Sequence, residues 1–138
     1  MIDEFRGKYF FLSNFYSAPV MHDGIMFDNN EAAYQSAKCI DASYRVRFCH
    51  LAPSEAKRVG RYTSLRKDWE RIKNQVMEDC IRDKFTRNLD LRQLLLETGD
   101  EELIERNDWG DIYWGVCHNE GKNMLGKILM KVREELRS

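Results

Sequence analysis

A chain of 138 residues with 22 basic and 23 acidic side chains has a formal charge of −1. It is long enough to bury a core without disulfide staples and too near neutral to be a polycation for bulk nucleic acid or an anionic membrane. No apolar run reaches the length of a membrane span, Met1 is followed by Ile-Asp-Glu rather than a signal sequence, and there is no low-complexity tract; the expectation is one cytoplasmic domain over residues 1–138, with no membrane contact. The four cysteines lack C-x-x-C spacing, and the neighbours Cys49-His50 and Cys117-His118 lack tetrahedral ligand spacing. They read as thiols of a reducing compartment, with no metal.

Lys8 to Leu12 is rich in strand formers. Ser13-Asn14-Phe15-Tyr16-Ser17 breaks that pattern and reads as a loop. Pro19 to His22, Asp23-Gly24 and Ile25 to Phe27 spell a β-hairpin, because Asp-Gly supplies the positive φ angles of a tight two-residue turn. The stretch from Asn29 to Cys39 follows directly and reads as a short helix. Asn29 or Asn30 can cap it and Glu31 suits its first turn. Glu31, Gln35 and Lys38 then share one stripe with Tyr34 beside them, and Ala33, Ala37 and Ile40 lie opposite. On spacing alone that stripe reads first as a solvated helix face.

Tyr44 to Leu51 reads as a short helix or a loop. Pro53 to Gly60 has Pro at the start and Gly at the end, the asymmetry of a short helix. Asp68 is placed to cap a long helix beginning at Trp69, where Ile72, Val76, Met77, Cys80, Ile81 and Phe85 recur at helical spacing until Asn88. Leu91 to Glu97 is a further helix stopped by Gly99. Glu102 to Glu105 reads as a strand. Asn107 to Gly115 is a Gly-rich loop with two Trp, and loops carrying Trp either plug a core or line a site. Gly121-Lys122-Asn123-Met124-Leu125-Gly126 opens the last helix, whose buried face is marked by Leu125, Ile128, Leu129, Val132 and Leu136. A Gly-rich helix start suits phosphate, although this one is neither a P-loop nor a dinucleotide fingerprint. The sum is an α+β fold, mostly helical, with a few short antiparallel strands.

Several segments together resemble the YbiA-like family of the NADAR (NAD and ADP-ribose related) superfamily. They are Leu12 to Tyr16, Asn30 to Lys38, Ala56 to Arg61, Asp68-Trp69, Lys84-Phe85, Leu95 to Gly99, Trp109-Gly110-Asp111 with Trp114-Gly115, and Gly121 to Met130. The resemblance spans nearly the whole chain. One departure is Ala32, where the family usually has His after the Glu. The resemblance implies cleavage of the N-glycosidic bond of a phosphorylated riboside. One branch is linked to early riboflavin-pathway intermediates, another to ADP-ribose attached to a guanine base, possibly within nucleic acid. No cofactor and no obligate protein partner are implied.

Breaking a C1′–N bond builds positive charge on the ribose, so the chemistry calls for a carboxylate near C1′; Glu31 and Asp111 are the candidates. Lys38 is the candidate for the alternative, an amine that attacks C1′ and passes through a Schiff base, provided burial lowers its pKa. Trp69, Trp114, Phe15 and Tyr16 can stack on the departing base. Tyr34 and Gln35 share the polar side of the Glu31 helix. Asn14 and Asn123 are neutral partners for ribose or phosphate, and Arg58, Arg61 and Lys122 are candidate phosphate contacts. Each has a plain structural alternative: Trp69 as core, Asp111 as a turn cap, Lys38 as an exposed lysine. A rival from another class is a non-catalytic module that binds ADP-ribose or a related nucleotide. Such a module has no need of the pair Glu31 and Lys38.

Overall fold

The Asp23-Gly24 turn shapes the first ordered piece. Asp23 has φ 49° and Gly24 φ 78°, both left-handed, as a tight two-residue hairpin turn demands. Strands β1 (Ser17–His22) and β2 (Ile25–Asn29) pair antiparallel around it. The computed structural model describes residues 1–138 as two compact units, Asn14–Asn88 and Met1–Ser13 with Leu89–Ser138.

In the unit Asn14–Asn88, Ala18 and Val20 of β1 and Phe27 of β2 are buried, so the hairpin's strand alternation gives it one apolar face. Helix α1 (Asn30–Ser36) leaves β2 without a connecting loop. Helix α2 (Ala42–Arg45) is capped by Asp41, whose carboxylate accepts the Ser43 N–H at 2.9 Å, and runs into a 3-10 turn at Val46–Phe48. Helix α3 (Pro53–Arg61) starts on Pro53, and the Glu55 carboxylate accepts the Ala52 N–H at 3.2 Å. Helix α4 (Trp69–Arg87) lays Val76, Met77, Cys80, Ile81 and Phe85 inward, and α1 packs against β1, β2, α3 and α4. Two expectations change here. Asp68 is the residue before α4, but its side chain does not cap it; both carboxylate oxygens are drawn back to Arg66, at 2.7 and 3.2 Å, because a charged bidentate partner outcompetes a backbone amide. Ile40 is 73 % exposed, since α1 ends at Ser36 and no longer sets its direction.

In the other unit, Gly7–Leu12 is a 3-10 helix and not the start of a strand. Phe11 and Leu12 are buried side by side, which a strand's alternation forbids and a tight helical turn allows. Helices α5 (Leu89–Glu97) and α6 (Met124–Leu136) pack together, burying Leu91 and Leu95 with Leu125, Ile128, Leu129 and Val132. Glu102 to Glu105 forms no full strand: Leu103 makes one parallel bridge to Ile2. The strands are two residues each, β3 (Arg106–Asn107) and β4 (Val116–Cys117), paired parallel. The architecture is α+β and mostly helical, and no helix is long and apolar enough to cross a membrane.

Candidate active site

Every residue of α1 is buried, so its polar stripe is not a solvated face. Polar groups taken out of water need partners, and most of those found here lie within the same unit. Asn29 caps the helix by accepting the Ala32 N–H at 2.8 Å and donates to the Leu51 carbonyl at 3.0 Å. Asn30 donates to Asn14 Oδ1 at 2.7 Å, and the Asn14 carbonyl accepts the Glu31 N–H at 3.0 Å. Asn14 thereby fastens the Ser13–Ser17 loop to the first turn of α1, and its own amide points at Met77 Sδ, 3.5 Å away. Gln35 Nε2 donates to Glu31 Oε2 at 2.7 Å, joining the two polar residues one turn apart.

Lys38 lies beyond the helix end, where its backbone N–H returns to the Gln35 carbonyl at 3.2 Å and its carbonyl accepts the Arg66 N–H at 3.0 Å. Its ammonium is pulled in two directions. Burial disfavours the charge and is the strongest effect; Glu31 favours the charge and the nearby Arg61 opposes it. The balance leaves the amine below its ordinary value. Arg58 and Arg61, on the last turn of α3, are exposed and hold no carboxylate. Trp69 is buried to 4 % exposure and tilted against Tyr34 with ring centres 5.3 Å apart, so it is a wall of the core and offers no open face for a base. Phe15 and Tyr16 are half-buried; the Lys57 ammonium lies 5.9 Å from the Phe15 ring and Lys84 5.7 Å from the Tyr16 ring.

In the other unit, Asp111 closes a turn. Its Oδ1 accepts the N–H groups of Tyr113 and Trp114 at 3.1 and 2.9 Å, while Asn107 accepts the Asp111 N–H and donates to its carbonyl. Half-buried, the Asp111 carboxylate is an anchor for the loop that carries Trp114, which stands edge-on to Tyr113. The glycine-rich start of α6 does not present free N–H groups. Those of Lys122, Asn123, Met124 and Leu125 are taken by the carbonyls of Ile112, Gly115, Tyr113 and Trp114, so the phosphate cradle expected there is filled by the chain itself. Asn123, at φ 53°, spends both ends of its amide on backbone: it donates to the Leu103 carbonyl and accepts the Glu105 N–H, each at 2.9 Å. Lys122 is exposed, with its ammonium 5.5 Å from the Tyr113 ring.

Residues outside the expected set also matter. Lys84 is 1 % exposed, and burial brings its amine down to about 7. The signal was visible, since a lysine three and four residues from Ile81 and Cys80 falls on the apolar stripe of α4. Asn30 is wholly buried, and Gly60 lies against Gln35; their local signatures, a helix cap and a helix end, do not reveal these contacts. No three His, Cys, Asp or Glu side chains gather so as to hold a metal ion.

Known proteins are similar to this chain in sequence and fold. The family model described as the NADAR domain matches residues 3–137. The chain is 41 % identical over 128 residues to the N-glycosidase YbiA of Escherichia coli, covering 90 % of this chain and 79 % of that protein. The NMR structure of E. coli YbiA superposes with a TM-score of 0.86 at 38 % identity, over 99 % of this chain and 85 % of the other. An N-glycosidase of Nostoc punctiforme is 42 % identical over 78 % of this chain and 73 % of its own length. A riboflavin biosynthesis protein of Vibrio vulnificus is 37 % identical over 91 % of this chain and 35 % of its own length. The chain belongs to the NADAR domain family.

Proposed function

We propose that this N-glycosidase acts on a small phosphorylated riboside, with Glu31 as its acid–base carboxylate. The observation that carries the reading is the buried pair Glu31–Gln35 beside Lys38, whose ammonium is disfavoured by burial. Burying an acid next to a half-buried amine is costly, and such perturbed pairs cluster at functional sites. The exposed and unpaired Arg58 and Arg61 suit a phosphate. A riboside of the early riboflavin pathway fits best, in line with the name of the Vibrio relative; ADP-ribose on a guanine base is the second substrate to try.

In the carboxylate route the C1′–N bond breaks with its electron pair going to the base. Glu31 stabilises the ribose cation, takes a proton from the water that adds at C1′, and passes that proton to the departed base, which returns the carboxylate to its starting state. In the amine route neutral Lys38 attacks C1′, the base leaves, the sugar ring opens to an imine, and water releases ribose 5-phosphate and the free amine. Both routes end on the same sugar, so the first experiment is to incubate the protein with a riboside 5′-phosphate and measure free ribose 5-phosphate. Glu31→Gln is expected to lower turnover by at least about a hundredfold, the scale of losing a positioned acid–base group. Wild-type turnover in that variant removes Glu31 from the chemistry.

A further inference from the structure

Gly60 is the last residue but one of α3, and without a left-handed φ it lacks the usual helix-end reason to be glycine. Its backbone is helical there, a conformation alanine adopts more readily than glycine. The reason is across the interface with α1. A Cβ at position 60 would overlap Gln35 Oε1 and lie 2.6 Å from Gln35 Cδ and 3.2 Å from its Cβ. The Gln35 amide is thus laid flat on the α3 backbone, at 6 % exposure.

We propose that Gly60 is a positioning residue: its bare Cα seats the Gln35 amide, which in turn holds the Glu31 carboxylate in place. This rests on the reading of Glu31 above. Gln35 has two ends with different fates. Nε2 donates to Glu31 Oε2 at 2.7 Å, while Oε1 is buried without a donor. Leaving an acceptor unpaired costs about 1–3 kcal/mol. Turning the amide over would not relieve this, because it would set the carbonyl against the carboxylate and lose the hydrogen bond to Glu31. The seat therefore fixes which end of the amide Glu31 meets. The seat turns the Gln35 carbonyl toward α3 and leaves one of its two N–H donors on Glu31.

The test is a double-variant cycle, Gly60→Ala, Gln35→Ala and the pair together, read as release of ribose 5-phosphate across pH and as denaturant midpoint. Gln35→Ala is expected to lower kcat by about tenfold or more, and to move the acidic limb of kcat/KM to higher pH, because a carboxylate that loses an N–H donor holds its proton more tightly. Gly60→Ala is expected to lower kcat on the same scale, as the displaced amide carries Glu31 off its geometry. The pair should match Gln35→Ala alone within about threefold, since a methyl group has nothing to displace once the amide is gone. Multiplicative losses in the pair, an unmoved pH limb in Gln35→Ala, or a fully active Gly60→Ala beside an inactive Glu31→Gln each overturn the proposal and leave Glu31 standing. A fully active Glu31→Gln instead removes the acid the device serves; the coupling of 35 and 60 in stability would survive that result, so the two failures are distinct. Should Gly60→Ala not fold, recovery of folding in the pair supports the seat and its absence refutes it. Gln35→Asn, shorter by one methylene, then supplies the pH limb.

Discussion

Lys38 is where two electrostatic effects of opposite sign meet. Glu31 alone would hold the amine charged and unreactive; burial outweighs it, and Arg61 adds to burial. More free amine is therefore present near neutrality than on a solvated lysine, which is what attack on C1′ requires. Borohydride added with substrate is expected to give a covalent adduct at Lys38, forming faster as pH rises through neutrality and the free amine increases. Lys38→Ala and Lys38→Arg should both lose turnover by about a hundredfold or more, although Arg keeps the charge. No adduct, with an active Lys38→Arg, leaves the carboxylate route alone. The Glu31–Gln35 contact was legible in the sequence, because helical spacing brings residues four apart together; Lys38 lies past the end of α1, where that spacing no longer applies. The burial of α1 was not legible, because it depends on β1, β2, α3 and α4, which the local pattern does not contain.

Among the elements, those governed by local chemistry were the readable ones. The hairpin follows from Asp23-Gly24, α3 from Pro53 and α4 from its apolar recurrence. The start of α6 was misread for the opposite reason. Its glycines and amides look like an anion cradle, yet the N–H groups from Lys122 to Leu125 close on carbonyls of residues 112–115, and Asn123 ties Leu103 to Glu105. Gly126 belongs to the same clasp, for a Cβ there would overlap the Leu103 carbonyl. Partners some 10 to 20 positions away in the chain leave no trace in a six-residue motif. The clasp predicts that Asn123→Ala destabilises the fold by about 2–4 kcal/mol, from two orphaned backbone groups and a non-glycine, non-Asn residue held at positive φ. Asn123→Gly should cost less, since it keeps the backbone conformation. Denaturant titration measures both; a loss under about 0.5 kcal/mol for Ala would mean the amide ties carry little.

The stability of the whole molecule should carry the mark of Lys84. An unfolded lysine titrates at its ordinary 10.5, and the buried one at about 7. Below about 7 the amine is charged in both states and the fold bears the full cost of burying an ammonium. Above about 10.5 it is neutral in both and the cost is gone. Between these values the unfolded chain binds more protons than the folded one, so stability rises with pH, by up to ~1.4 kcal/mol per pH unit for one proton. Cys80 acts in the other direction, because burial raises its thiol well above 9.0 and only the unfolded chain forms thiolate readily; that opposing slope begins near the ordinary thiol value, so pH 7 to 8.5 isolates the lysine. Over that interval the wild type is expected to gain about 1.5 kcal/mol relative to Lys84→Met. The comparison is of slopes, since Met also removes the contacts that the amine makes and shifts the absolute stability by an amount the slope does not contain. Denaturant midpoints for the two proteins at several pH values supply it. Parallel lines would show that Lys84 stays charged inside the fold, and that its partners there, and not desolvation, decide its protonation.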